Sequence, residues 1–457
     1  MVKTRDLRGL AVFFGADFFA AAFFARVRAG VRGDFLAGLA GMEEYYSVMD
    51  CHTTTDERQR YVGKIVGMMR RMVWCGVLAV TVCGAMRASV AWGQELPATS
   101  GPWVMEKSGS TAGLRGIHAV GGGVAWASGT NGTVLRTEDG GYEWQSCAMP
   151  PGAEKLDFRG IWAWDDNTAM VMSSGTGDAS RIYETKDGCS SWKLLFRNPD
   201  KDGFWDAIVF EDRQHGTILG DPVGGAFVVL DSSDGGASWM REPSKGLEAN
   251  PKSQGAFAAS NSSLAFVPTA STTVDIPSGG GWEFFVTGGT DGAFLHRLVV
   301  NIKIHGDPEL SGLQATAHSL WKKSSLPLAS GAEASGAFSI QLRSPERSVA
   351  VGGDYTKPNE PTGTAAWSTD GGKTWTAAAK PPHGYRSAVA WDAEAKAWIA
   401  AGTNGSDISY DDGKTWVSLD DGNWNALSLP WVVGPNGRIA KLDPGKLPRS
   451  GDQSGAK

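Results

Sequence analysis

Histidine is scarce, with seven in 457 residues, and no two stand at H-x-x-x-H or a similar spacing, so a helix-borne metal site has no ligands to draw on. No G-x-G-x-x-G joins a strand to a helix, which removes the usual seat of a dinucleotide. There is no long basic run and the net charge is −6, which excludes capture of nucleic acid by bulk electrostatics. The apolar run Met72–Met86 has 15 residues, short of the roughly 20 that span a bilayer. "NPDKDG" (198–203) imitates the start of a calcium loop. The twelfth position is Val209, so the bidentate carboxylate is missing and a plain turn is expected. No cofactor, metal or nucleic-acid partner is expected.

Glycine and tryptophan are abundant instead, 61 and 19 residues. The stretch "GTNGTVLRTEDGGYEW" (129–144) reads as a turn, a short strand, a second turn and a tryptophan. The second half recurs as "TKDGCSSW", "SSDGGASW", "STDGGKTW" and "SYDDGKTW". All five fit [ST]-x-D-x-[GC]-x-x-W, with Asp139, Asp187, Asp234, Asp370 and Asp411 in the turn. Trp144, Trp192, Trp239, Trp375 and Trp416 close the five motifs. The Asp can accept hydrogen bonds from the N–H groups of its own turn. The glycine takes a backbone angle that a side chain resists. The tryptophan opens the next strand and buries a flat ring against a neighbouring sheet. These residues are expected to be structural.

The five tryptophans stand 48, 47, 136 and 41 apart. Units of that size with short strands suit four-stranded propeller blades. The long gap should hold one degenerate blade, with Trp321 as its tryptophan and two inserted loops, "VPTASTTVDIPSGGG" and "NIKIHGDPELSGLQATAH". A column of inner strands supports seven units: "LRGIHAV", "FRGIWAW", "FWDAIVF", "QGAFAAS", "SGAFSIQL", "YRSAVAW" and "WNALSLP". A third column, "GTNG", "GTGD", "GDPVGG", "GGTDG", "GGDY", "GTNGSD" and "GPNG", marks the turns between second and third strands. The last unit has three strands. Trp103 begins a short strand one repeat before Trp144, which should complete that unit and hide its edge. The expectation is an all-β, seven-bladed β-propeller over 103–443, with 444–457 a disordered tail.

Residues 68–91 have the parts of a secretory signal peptide: Arg70-Arg71, the apolar run, and "SVA" for cleavage. The expected start is Met68 or Met69, with 1–67 an over-long beginning; the alternative is a real extension with an internal anchor. The mature chain would be exported, periplasmic or secreted, with no stable membrane span. It would keep Cys147 and Cys189. A disulfide between them is conceivable in an exported protein. Yet Cys189 falls in a turn of blade 2 and Cys147 on an outer strand of blade 1, and blade geometry is expected to keep them apart.

The motif resembles the Asp-box (BNR) repeat, and "STDGGKTW" matches it in full. Such boxes occur in sialidases, in other glycoside hydrolases and in non-enzymatic WD40/YVTN-like propellers. With "GDPVGG", "VGGDY" and "GYRSAVAW", the pattern from Trp103 to Asp443 resembles bacterial relatives of the photosystem II stability and assembly factor. The resemblance implies a seven-bladed propeller that binds a protein partner, and it informs fold more than function. A sialidase would carry Arg-Ile-Pro before the first box. The nearest string here is Arg181-Ile182-Tyr183, after it and without the proline. An inverting glycosidase would need two carboxylates about 6.5–9.5 Å apart, for which Asp206, Asp221 and Asp354 are available.

Strands of a blade alternate direction, so second turns share a face with the approaches to inner strands. The Asp turns lie on the opposite face. The first face collects Arg115, Arg159, Trp205, Asp206, Asp221, Asp354, Tyr355, Tyr385 and Arg386. Asn131, Asp178, Asp291, Asp407 and Asn436 join them there, and hairpin chemistry alone can account for that Asn/Asp column. Three arginines with aromatics suit an anionic or peptide ligand; salt bridges to neighbouring Asp are the other reading. The expected partner is a protein or peptide, or a glycan, bound by a monomer without catalysis. A glycoside hydrolase on the same face is the alternative.

Overall fold

The computed structural model describes residues 101–268, 281–305 and 314–449, all within one compact unit, Glu95–Lys457. The expected signal peptide and the segment before it lie outside the described residues. Seven four-stranded antiparallel sheets make a seven-bladed propeller. Their first strands are Leu114–Gly121, Phe158–Ala163, Trp205–Phe210, Leu264–Pro268, Ser335–Leu342, Ala388–Asp392 and Ala426–Ser428. Each touches the first strand of the next blade, and blade 7 touches blade 1. The second turns fall at the third column of motifs, except that in blades 3 and 5 the second strand runs on through Val223 and Asp354 before the turn begins. In blade 7 the outer strand is Trp103–Glu106, paired antiparallel with Ile439–Leu442.

An apolar cluster lies between each pair of adjacent blades, and each holds one tryptophan of the column or packs against it. Trp144 reaches Trp431 and Ile439 of blade 7, and Trp239 reaches Met170 and Ile182 of blade 2. Trp321 takes this place in blade 4, beside Phe227 and Val229 of blade 3. Trp103 takes it in blade 7, beside Ile399 and Ile408 of blade 6. Burying a ring of this size contributes about 4–6 kcal/mol at most. The motif tryptophan is therefore the bolt of each seam.

The five Asp turns share one hydrogen-bond scheme. In the fourth, Ser368 donates its hydroxyl to Asp370 at 2.8 Å and accepts the Gly372 N–H at 3.1 Å. Asp370 accepts the Thr374 N–H at 3.0 Å and its hydroxyl at 2.6 Å. Asp187, Asp234 and Asp411 repeat the scheme. Asp139 keeps the N–H bond, from Glu143 at 3.0 Å, and has no hydroxyl at that position.

Four expectations need correction. Cys147 and Cys189 form a disulfide, with Cα atoms 5.2 Å apart. The Asp turn of one blade meets the end of the outer strand of the blade before it at the rim, which sequence spacing does not reveal. "QGAFAAS" is not an inner strand. Blade 4 begins at Leu264, and the segment before it crosses the axis. There Asn261 accepts the Ile208 N–H and donates to the Ile161 carbonyl of blade 2. Ser260 donates to the Ser387 carbonyl of blade 6, and Ser262 to Ser339 of blade 5. This segment ties four blades together. "NIKIHGDPELSGLQATAH" is not wholly a loop, because strands Ala293–His305 and Gln314–Leu326 extend into it. Finally, the chain stays on the propeller past Asp443. Leu447 packs on the blade 6/7 cluster and Tyr410 donates to the Pro448 carbonyl.

Candidate functional site

The second turns and the approaches to inner strands do meet on one face. Thr130, in the second turn of blade 1, donates its N–H to the Gly113 carbonyl just before the first inner strand, at 3.0 Å. Tyr385 donates its N–H to the Pro358 carbonyl beyond the second strand of blade 5, at 2.9 Å. The face is floored by the axial segment of blade 4.

Arg115 and Arg159 stand at the start of the inner strands of blades 1 and 2. Burial lowers the pKa of Arg115, and the nearby Arg159 charge lowers it further, against the pull of Asp157. Arg159 is partnered: Nε donates to Asp157 at 2.8 Å and a terminal nitrogen to the Ala258 carbonyl at 3.2 Å. The Arg115 side chain forms no hydrogen bond and no ion pair with the described residues, and its Nε is buried without an acceptor. Asp157 keeps one oxygen, Oδ1, buried and without a donor.

Beside them stand two carboxyls with raised pKa. Asp221 is pushed up to about 6 by burial, although it accepts the Ala256 N–H at 2.9 Å. Asp206 is 1% exposed, and burial, with the Asp221 charge second, drives it well above the carboxylate range. Its Oδ2 has no donor.

An aromatic group completes the face. Phe257 of the axial segment stacks on Phe338 at 3.8 Å. Tyr385 meets Phe338 edge-on at 4.8 Å, and Tyr355 does so at 6.1 Å. Tyr355 is 50% exposed, while burial raises the Tyr385 phenol far above its ordinary range. Asp354, which accepts the Thr356 N–H and hydroxyl, is held below the usual carboxylate range by those bonds.

The nine residues singled out from sequence thus divide. Arg115, Arg159, Asp221 and Tyr355 face the mouth, with Asp354 and Tyr385 supporting Tyr355 and Phe338. Trp205, Asp206 and Arg386 do not. Trp205 is fully buried and stacks on Phe196 at 5.6 Å in the blade 2/3 seam. Arg386 is fully buried as well. Asp407, on the third strand of its blade, draws the guanidinium inward, with Nε donating to Oδ2 at 2.7 Å. The carbonyl of Tyr385 and the amide of Asn404 take more of its N–H groups. The third arginine is a structural ion pair.

Three contributors went unrecognised in the sequence. Asp157 could have been suspected from D-x-R, two residues before Arg159. Phe257 and the Ala258 carbonyl had no signal, because their segment looks like a strand. Among the described residues no group of three or more His, Cys, Asp or Glu is arranged to hold a metal ion. Asn198, in the "NPDKDG" turn, instead accepts the Asp200 N–H at 3.0 Å. No helix among the described residues is long and apolar enough to cross a membrane.

No family model matches the chain, and no curated protein does. Solved structures similar to it include YCF48 bound to D1 peptide, 14% identical over 75% of this chain and 96% of that one, with a TM-score of 0.49. YCF48 from Cyanidioschyzon merolae is 16% identical over 76% of this chain and all of that one, at 0.48. A GH74 xyloglucanase from Xanthomonas campestris is 16% identical over 70% of this chain and 52% of its own, at 0.30. The assignment of the fold rests on the sheet topology above.

Proposed function

We propose that the protein is an exported, non-enzymatic propeller that binds a protein or peptide partner through the Arg115 face. The observation that carries this reading is the Arg115 Nε, buried without an acceptor. A buried guanidinium nitrogen that lacks a hydrogen-bond partner is costly to keep. An acidic group on a partner would supply the missing acceptor in charge-assisted form. Phe257 and half-exposed Tyr355, both packed on the buried Phe338, offer an apolar side chain somewhere to lie. Together they suit a short acidic segment with an apolar or aromatic neighbour. Export rests on the leader-like segment 68–91 and on a disulfide between the two cysteines that follow it.

A random-peptide display selection on the full chain tests the reading. Enriched peptides should be acidic and aromatic, and Arg115→Glu should abolish the enrichment. Enrichment that survives Arg115→Glu contradicts it. Glycoside hydrolysis is the second reading, motivated by the two raised carboxyls. Asp206 is sealed from solvent, so it offers a substrate no approach. Turnover of a glycoside that Asp206→Asn abolishes in a folded protein would replace the binding reading.

A further inference from the structure

The second Asp turn departs from its four siblings at one position. Four turns place glycine fourth after the Ser or Thr, at φ of 93° (Gly141), 83° (Gly236), 74° (Gly372) and 80° (Gly413). The second turn places Cys189 there, at φ 64°. A side chain in that left-handed region is disfavoured. Cys189 is buried, and its N–H still donates to Thr185 at 3.0 Å, so the turn is otherwise intact.

The direction of that position explains the exception. A Cβ added at Gly141 would strike Glu106 of blade 7, and one at Gly236 would strike Met170 of blade 2. At Gly372 it would strike Leu295 of blade 4, and at Gly413 Val349 of blade 5. In every case the vector points at the preceding blade. From Cys189 the preceding blade is blade 1, and there Cys147 follows an outer strand of only two residues, Gln145–Ser146. Ala148 donates its N–H to the Cys189 carbonyl at 3.1 Å beside the bridge.

We infer that the blade 1/2 rim is a redox-conditional clasp, completed only where a disulfide oxidant is present. The Cys189 or Cys147 thiolate attacks one sulfur of the oxidant's disulfide, having lost its proton to solvent, and expels a thiolate. The second protein thiolate then attacks the mixed disulfide, expels the other thiolate and leaves Cys147–Cys189. Two protein thiols are oxidised and one disulfide is reduced to two thiols. In the reduced protein the left-handed cysteine keeps its strain and gains no cross-link. Such a residue is favourable only in an oxidising compartment. This inference is independent of the binding face.

The test uses the full chain with Cys51, Cys75 and Cys83 replaced by serine, equilibrated with either glutathione disulfide or excess reduced thiol. The oxidised protein should melt higher than the reduced one by about 5–10 °C. Amide exchange at residues 145–148 and 187–191 should quicken on reduction, while the sibling turn at 234–239 should not change. Adding Cys147→Ser with Cys189→Gly should remove the response to reductant. That variant should also melt above the reduced parent by roughly 1–3 °C, because glycine relieves the backbone. Equal melting of the oxidised and reduced parent would overturn the inference. A Cys189→Gly variant that melts no higher than the reduced parent would overturn the account of why cysteine sits there.

Discussion

The two faces of the propeller use the same residue types to opposite ends. On one face, five aspartates turn inward on their own loops, and each accepts the N–H four residues on. All five accept the hydroxyl of the Ser or Thr two residues before, and four also accept the hydroxyl of the residue four on. On the other face, Arg115 Nε, Asp157 Oδ1 and Asp206 Oδ2 are buried and unpaired. Buried polar groups are nearly always paired, so each exception needs a physical reason, and for Arg115 the reason proposed is an acidic partner. The turn carboxyls and the Asp206–Asp221 pair answer pH with opposite sign. Hydrogen bonds lower the turn carboxyls, Asp370 to about 2. Burial raises the mouth carboxyl Asp221 to about 6.

Deleting residues 103–107 removes the outer strand of blade 7 and the buried Trp103, whose indole donates to Ser406 at 2.8 Å. Loss of the ring alone should cost about 3–5 kcal/mol. Equal melting of truncated and full chains would show that this strand does not stabilise blade 7. Next comes the pH response of the mouth. The folded pKa of Asp221 lies above the unfolded value of about 3.9. Its contribution is therefore retained below pH 4 and lost as pH rises through about 6. Urea unfolding between pH 4 and 7 should show the wild type losing on the order of 2 kcal/mol relative to Asp221→Asn. The asparagine can still accept the Ala256 N–H.

The turn face should fail the other way and by less. Asp370→Ala leaves the N–H groups of its turn to solvent and should cost about 1 kcal/mol, since the carboxylate is largely exposed. Because its folded pKa is depressed, that contribution is present above pH 4 and disappears as pH falls through about 2. A variant that loses nothing at pH 7 would remove the Asp turn from the account. Arg115→Ala should not lower stability, because it removes a buried nitrogen that has no acceptor. A loss of stability would mean that Arg115 has a structural partner after all.

Blade count was legible because five turns repeat one hydrogen-bond scheme and seven tryptophans fill seven seams. Both demands act within one repeat, so they leave a fixed spacing in the chain. Blade 4 was less legible because it has no Asp turn, and because "QGAFAAS" has the small-apolar alternation of an inner strand while serving to cross the axis. Alternation reports the pleat that a segment could adopt, and not the partners it meets. The site was legible as a face but not as a cluster. Arg115 and Arg386 occupy matching positions before inner strands. Only the carboxylate of Asp407, 21 residues further on, decides that one is spent and the other free. Cys147 and Cys189 were misjudged for a related reason, since the direction in which the turn's fourth position points is set by the neighbouring blade.

The division of labour between the faces is tested most directly by one paired measurement. A peptide selected on the wild type is titrated into Arg115→Ala and Asp370→Ala, each at a temperature where its own melt shows it fully folded. Arg115→Ala should melt no lower than the wild type and bind at least about 10-fold more weakly, the loss of one charge-assisted hydrogen bond. Asp370→Ala should melt lower and bind as the wild type does. Weakened binding by folded Asp370→Ala, or undiminished binding by Arg115→Ala, would contradict it.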